Sequence, residues 1–177
     1  LQGYRHASTD DIVREAAISK GLLFHYFGNK LGVYKFVYDY SVRYINLELK
    51  TLVNPQERDL FEVLKQMECA RMHAMRGYPY MQQFLNRSEA EDSYEALLAV
   101  EEKRALLEET YAAIEAQIDY AALPEKADGK KLRKMLELTI RGLLEERFQQ
   151  VSFQPEMLYD EICEYLDMTK QLAEEQR

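Results

Sequence analysis

The chain has 177 residues, enough for one domain or a small domain joined to a larger one, and enough to bury a core. Apolar residues make up 47% and charged residues 31%, with only 7 Gly and 4 Pro, the balance of a globular chain that prefers helix to sheet. A net charge of −8 argues against simple non-specific nucleic-acid binding, and no apolar run approaches the roughly 20 residues needed to cross a bilayer.

The charge is uneven: residues 1–50 carry +2 and the rest −10, so a mildly basic segment is joined to an acidic one. Cys69 and Cys163 lie far apart in helical contexts with no framework or ligand spacing. They read as buried free thiols in a reducing cytoplasm rather than a disulfide. His6, His25 and His73 lack carboxylate or thiol partners at ligand spacing, so neither a metal nor a cofactor is expected.

In chain order, Ser8 caps a first short helix, with Asp11 three residues on completing an approximate capping box and Asp10 and Asp11 at the positive end of the dipole. Ser19 caps a second short helix, Lys20 to Phe27, ended by Gly28-Asn29, a pair suited to the left-handed conformation. Ile18 plugs the angle between the two. Lys30 to about Lys50 reads as a longer amphipathic helix. Asn54-Pro55 reads as a cap and first helical residue for a helix ending at Gly77. A short piece, Pro79 to Asn86, follows. Ser88 then caps a long segment from Glu89 to about Tyr120. Leu123 to Gly129 is a loop, with Asp128 capping Lys130 to Gln150, whose apolar face extends to Val151. Gln154-Pro155 opens the last helix, and the polar tail QLAEEQR frays. No segment shows strand alternation, so the fold class is all-α, about eight helices.

The pair Ser8–Ala17 and Ser19–Phe27 has the spacing of a helix-turn-helix, in which the second helix enters the major groove. Helix pairs are also common in any helical bundle, and Leu23, Phe27 and one of Phe24 or Tyr26 read as core. The pattern Gly3-Tyr4, Ser8-Thr9-Asp10-Asp11-Ile12, Glu15-Ala16, Ile18-Ser19-Lys20-Gly21-Leu22-Leu23-Phe24-His25-Tyr26-Phe27, Asn29-Lys30 goes further. Over about residues 3–36, in one ungapped register, it closely resembles the DNA-binding segment of TetR-family transcriptional regulators.

The resemblance implies that Ser19, Lys20, Gly21, Leu22, Phe24, His25, Tyr26 and Lys30 face DNA, Lys30 as a phosphate clamp. Three positions depart from the family pattern: Phe24 stands where tyrosine is usual, Leu22 where a small or hydroxylated residue is usual, and Ala17 where the turn often has glycine. The family also places a helix before Gly3-Tyr4, so one more amphipathic helix is expected upstream of Leu1.

On this reading residues 1–48 form the DNA-binding domain with the start of the connecting helix, and 49–177 form an effector-binding and dimerisation domain. Leu136, Ile140, Leu143, Leu144, Phe148, Leu158, Ile162, Tyr165 and Leu166 exceed what one helix pair needs, and the resemblance implies that they meet a second copy in a four-helix bundle. An ordinary internal core is the alternative. Met67, Arg71, Met75, Tyr78, Phe84, Tyr111 and Met135 are candidates to line an effector pocket, being rich in adaptable methionine and aromatic rings. Arg71, Arg76 or Arg141 could anchor an anion, and Glu115 or Glu137 a cationic lipophile.

The expected function is a cytoplasmic, ligand-responsive regulator. It is expected to act as a repressor, to bind a palindromic double-stranded operator as a homodimer, and to be released by a small lipophilic effector. An enzyme is disfavoured, since the chain has no phosphate-binding loop, no HExxH and no clustered His/Glu. A helical protein-interaction module is the other rival.

Overall fold

The computed structural model of the chain describes residues 3–124, 128–150 and 153–175. Among these, nine α-helices and one 3₁₀ turn occur, with no strand. They are α1 (Gly3–His6), α2 (Thr9–Glu15), α3 (Lys20–Phe27), α4 (Lys30–Leu52), α5 (Leu60–Gly77), α6 (Met81–Glu89), α7 (Tyr94–Ala116), α8 (Gly129–Phe148) and α9 (Pro155–Glu174), with the 3₁₀ turn at Tyr120–Ala122. The all-α expectation holds. Val151, residues 125–127 of the expected loop, the last two residues of the tail and the helix expected upstream of Leu1 lie outside the described residues.

The chain divides into two compact units, residues 1–46 with 80–110 and residues 47–79 with 111–177. In the first, Tyr34, Tyr38, Val42 and Ile45 recur at steps of three and four along α4 and are buried together with Leu23, Met81, Leu85, Ala96 and Val100. In the second, α5 buries one long face, including Phe61, Leu64 and Met75. Leu136, Ile140 and Leu144 on α8 and Leu158, Ile162 and Leu166 on α9 are spaced every fourth residue and equally buried. α9 packs along α5 and, less extensively, against α8.

Several caps match the sequence reading. Ser8 accepts from the Asp11 N–H, Ser19 from Leu22, and Asp128 from Lys131. Pro155 opens α9, where its missing N–H costs nothing.

Other boundaries need correction. Asn54-Pro55 does not open α5. The Asn54 side chain accepts from the Gln56 N–H at 3.0 Å, and the Asn54 carbonyl accepts from Glu57 at 3.1 Å, so the pair makes a local turn. Asp59 is the cap instead, accepting from both Phe61 and Glu62.

Ser88 opens nothing either. It is buried inside α6 and donates back to the Phe84 carbonyl at 2.9 Å, the alternative open to a mid-helix serine. The segment expected from Glu89 to Tyr120 is therefore the end of α6, a break, and α7. The tail also stays helical through Glu174, where the Glu175 N–H closes onto Gln171.

Candidate nucleic-acid interface

α2, α3 and the turn between them are built almost wholly from local hydrogen bonds. The Ser8 hydroxyl donates to Asp11 at 2.6 Å while accepting from the Asp11 backbone, and Arg14 reaches the other carboxylate oxygen at 2.6 Å. These bonds, the Ser8 hydroxyl first, hold the Asp11 carboxyl below its usual range. α2 stops at Ala16. Ala17 turns the chain with φ +52°, the one non-glycine residue at positive φ among those described, and the Ile18 N–H closes the turn on the Val13 carbonyl at 3.1 Å. Ser19 then caps α3.

α3 holds to its neighbours through a narrow face. Leu23 is 1% exposed, and Phe27 is half-buried with its ring 5.2 Å from Phe36. The remaining side chains point outward: Leu22 is 44% exposed, Phe24 41% and Tyr26 69%, with Ser19, Lys20, Gly21 and His25 also exposed. The reading that one of Phe24 or Tyr26 is core is therefore corrected, because Leu23 and Phe27 alone fill the inward face of so short a helix. An eight-residue helix displaying this many exposed large side chains makes little sense as a free surface.

Lys20 reaches across to Asp10 on α2 at 2.7 Å, an exposed pair that adds little stability and leaves the ammonium exchangeable toward another anion. Lys30 is placed differently. Its ammonium donates to the Tyr4 carbonyl at 2.9 Å and the Ala7 carbonyl at 3.2 Å, and lies 4.4 Å from the Tyr4 ring centre. It satisfies the C-terminal carbonyls of α1, which is tied further by the Tyr4 N–H to Glu91 at 2.9 Å and by Arg5 to Asp92 at 2.9 Å. The clamp expected of Lys30 finds its charge already occupied inside the unit.

Sequence reasoning missed the ring row that continues from α3 onto α4. Phe36 and Tyr40 are exposed and stack at 6.4 Å, Tyr40 and Tyr44 stack at 6.3 Å, and Lys35 and Phe36 share a shallow recess with Tyr26 and Phe27. The spacing of 36, 40 and 44 was visible, but it does not say whether a helical face of rings turns inward or outward.

The expected pocket residues are dispersed. Phe84 lies in the first unit and lines a mostly apolar cavity of about 240 Å³ together with Tyr4, Ile12, Val33, Tyr34 and Val37. Met67, Arg71, Met75, Tyr78, Tyr111 and Met135 belong to the second unit. There Met67 and Met75 are buried on α5, Arg71 pairs with the buried Glu68 at 2.7 Å, Tyr111 is half-buried, and Tyr78 and Met135 are exposed. Arg133, close by in the same electrostatic network, binds Glu115 at 3.0 Å, and Glu115 accepts from the Tyr120 hydroxyl. Burial pushes the Glu68 carboxyl up, with Arg71 pulling against it.

The expected dimer residues require the plainest correction. Leu136, Ile140, Leu144, Leu158, Ile162 and Leu166 are buried within the chain, because they are the very residues that pack α8 and α9 into their own core. Leu143 and Phe148 are half-buried, the latter with its ring 5.3 Å from Phe153, and Tyr165 is exposed. The apolar residues that α8 and α9 leave outside are Met135 and Leu138, and Met157, Tyr165, Met168 and Leu172.

No described helix is long and apolar enough to cross a membrane, and no cluster of three metal-ligating side chains occurs among the described residues. The family model described as "Bacterial regulatory proteins, tetR family" matches residues 1–35, the segment that holds α1, α2, the turn and α3. No curated protein matches the chain.

Proposed function

We propose that this chain, whose N-terminal segment is the helix-turn-helix of a TetR-family DNA-binding transcriptional regulator, is a ligand-responsive repressor that grips a palindromic operator as a homodimer and lets go when a small lipophilic effector binds. The observation that carries the DNA reading is the outward set on α3: Lys20, Leu22, Phe24, His25 and Tyr26 all exposed around one buried anchor, Leu23. In the proposed complex α3 lies in the major groove. Ser19, Lys20 and Gly21 bring the helix N-terminus to a phosphate, Leu22 and Phe24 contact thymine methyls or sugars, and His25 and Tyr26 supply polar contacts. Lys30 acts one step back, by holding α1 in place.

Homodimerisation is read onto the exposed apolar residues of α8 and α9 instead of the buried ones. Met157, Tyr165, Met168 and Leu172 fall eight, three and four residues apart on one face of α9, and Met135 and Leu138 stand exposed on α8, so both helices hold large apolar side chains in water. A two-fold pair through these helices suits a palindromic site. The effector is read into the methionine-rich helical region around α5. α4 and α7 both run through the boundary between the two units, so a ligand preferring one arrangement can bias the reader. Moving from mostly bound to mostly free requires a differential affinity of about 10⁴.

The test is selection of duplexes from a random-sequence library by the purified chain, followed by titration of the winner at several salt concentrations. A palindromic motif is expected. Lys20→Ala removes one phosphate contact from each half-site and should lower the slope of log affinity against log salt by about two for the dimer. His25→Ala and Tyr26→Ala should each weaken binding by about 1–3 kcal/mol and relax sequence preference. Leu138→Glu combined with Met168→Glu should leave a folded monomer in sedimentation. Failure to enrich any sequence, with no binding at low salt, overturns the reading.

A further inference from the structure

The contact between α5 and α9 has a readable register. Glu62 meets Lys170 at 3.5 Å, Lys65 meets Asp167 at 2.5 Å, and Arg76 meets Glu156 at 3.0 Å. As the α5 number rises the α9 number falls by the same amount, so the helices run antiparallel with one constant offset. On α5 the partners stand three and fourteen residues after Glu62, positions that share one face of a helix. The position seven after Glu62 belongs to the same face, and it is Cys69. The same offset names its opposite number on α9 as Cys163. The chain has two cysteines, and the seam sets them against each other.

A second contact agrees. Burial first, and then the neighbouring Cys163 and Cys69 thiols, push the phenol of Tyr159, one turn before Cys163, up. A single phenol feels two thiols on different helices only where both lie near it. Both thiols are free and half-buried, not fully buried as their sequence context suggests.

We propose that Cys69 and Cys163 are a redox pair that a peroxide converts to an intramolecular disulfide, tying α5 to α9. One thiolate attacks the peroxide O–O bond, forming S–O and releasing water once the leaving oxygen is protonated. The second thiol then attacks the sulfenic sulfur, the S–S bond forms, and a second water leaves with the remaining proton. Two thiols are oxidised and one peroxide is reduced, and a thiol reductant reverses the change. Burial pushes the Cys163 thiol up, while Tyr159 and Lys65 pull it down. The Tyr159 O–H and the Lys65 ammonium are thus the groups that steady the attacking thiolate, against Asp167 and Asp160. This proposal stands apart from the DNA reading.

The test exposes the full chain to hydrogen peroxide and follows it by intact mass, peptide mapping and a non-reducing gel. The expected product is a monomer lighter by two hydrogens, with the Cys69 and Cys163 peptides linked, restored by dithiothreitol. Cys69→Ser and Cys163→Ser should instead stop at a sulfenic acid trapped by dimedone. Tyr159→Phe, checked for unchanged helicity, should oxidise several-fold more slowly. Independent gain of oxygen at the two sulfurs of the unsubstituted chain, or disulfides only between chains, overturns the pair.

Discussion

Ala17 holds the sharpest backbone compromise in the described structure. The turn between α2 and α3 requires a left-handed residue, and an alanine supplies it at φ +52°. An L side chain there brings Cβ against the following carbonyl at a cost of about 1–2 kcal/mol, which glycine escapes. Ala17→Gly should therefore stabilise the chain by about 1 kcal/mol net of glycine's greater freedom when unfolded, seen as a higher urea midpoint with an unchanged slope. The resemblance had marked this position as one where glycine is frequent, so the conflict was visible before the dihedral was known. Lys30 was not legible in the same way. Its spacing resembled a phosphate contact, yet its partners are the Tyr4 and Ala7 carbonyls, more than twenty residues away in sequence.

The elements meet at one close joint. Gly32 lies in the first turn of α4, where a Cβ would overlap the Phe27 carbonyl at the end of α3. Here glycine serves closeness rather than dihedral freedom, since Gly32 is not among the glycines at positive φ. Gly32→Ala should force α3 away from α4 and destabilise the chain by about 1–3 kcal/mol, the cost of overpacking a tight contact. A lowered thermal midpoint checks this, and by contrast Gly142→Ala on α8, whose Cβ meets nothing within 4 Å, should not be harmful. Element limits were legible where a cap acts locally, as at Ser8, Ser19 and Asp128. They were not at Ser88 and Asn54, because a hydroxyl or amide near a helix can bond backward or form its own turn, and tertiary burial decides which.

Over the whole molecule, ionisation sets one limit on stability. Burial pushes the Tyr38 phenol in the first unit up to about 12, and burial also raises Tyr120 and Tyr159 in the second. A raised folded value means that the native state holds the proton more tightly. The associated stability is complete below about pH 10, the value of a free tyrosine, and is lost as pH climbs toward 12. Denaturation midpoints should fall over that window while tyrosinate absorbance rises late, and Tyr38→Phe should soften the fall. The same scale governs association. Whether an apolar stripe on α8 or α9 faces its own chain depends on which neighbour fills it, and α9, packed along α5 and against α8, keeps its Leu158-Ile162-Leu166 stripe buried.

Sequence alone was sufficient for the helical class and the two short helices with their caps, because these depend on hydrogen bonds and apolar spacing within a dozen residues. The tertiary structure decided which apolar stripes are core and which remain in water, where Lys30 places its charge, and that Cys69 faces Cys163 across the α5–α9 seam. Those outcomes depend on the register between segments distant in sequence, and helical periodicity specifies a face without specifying its partner.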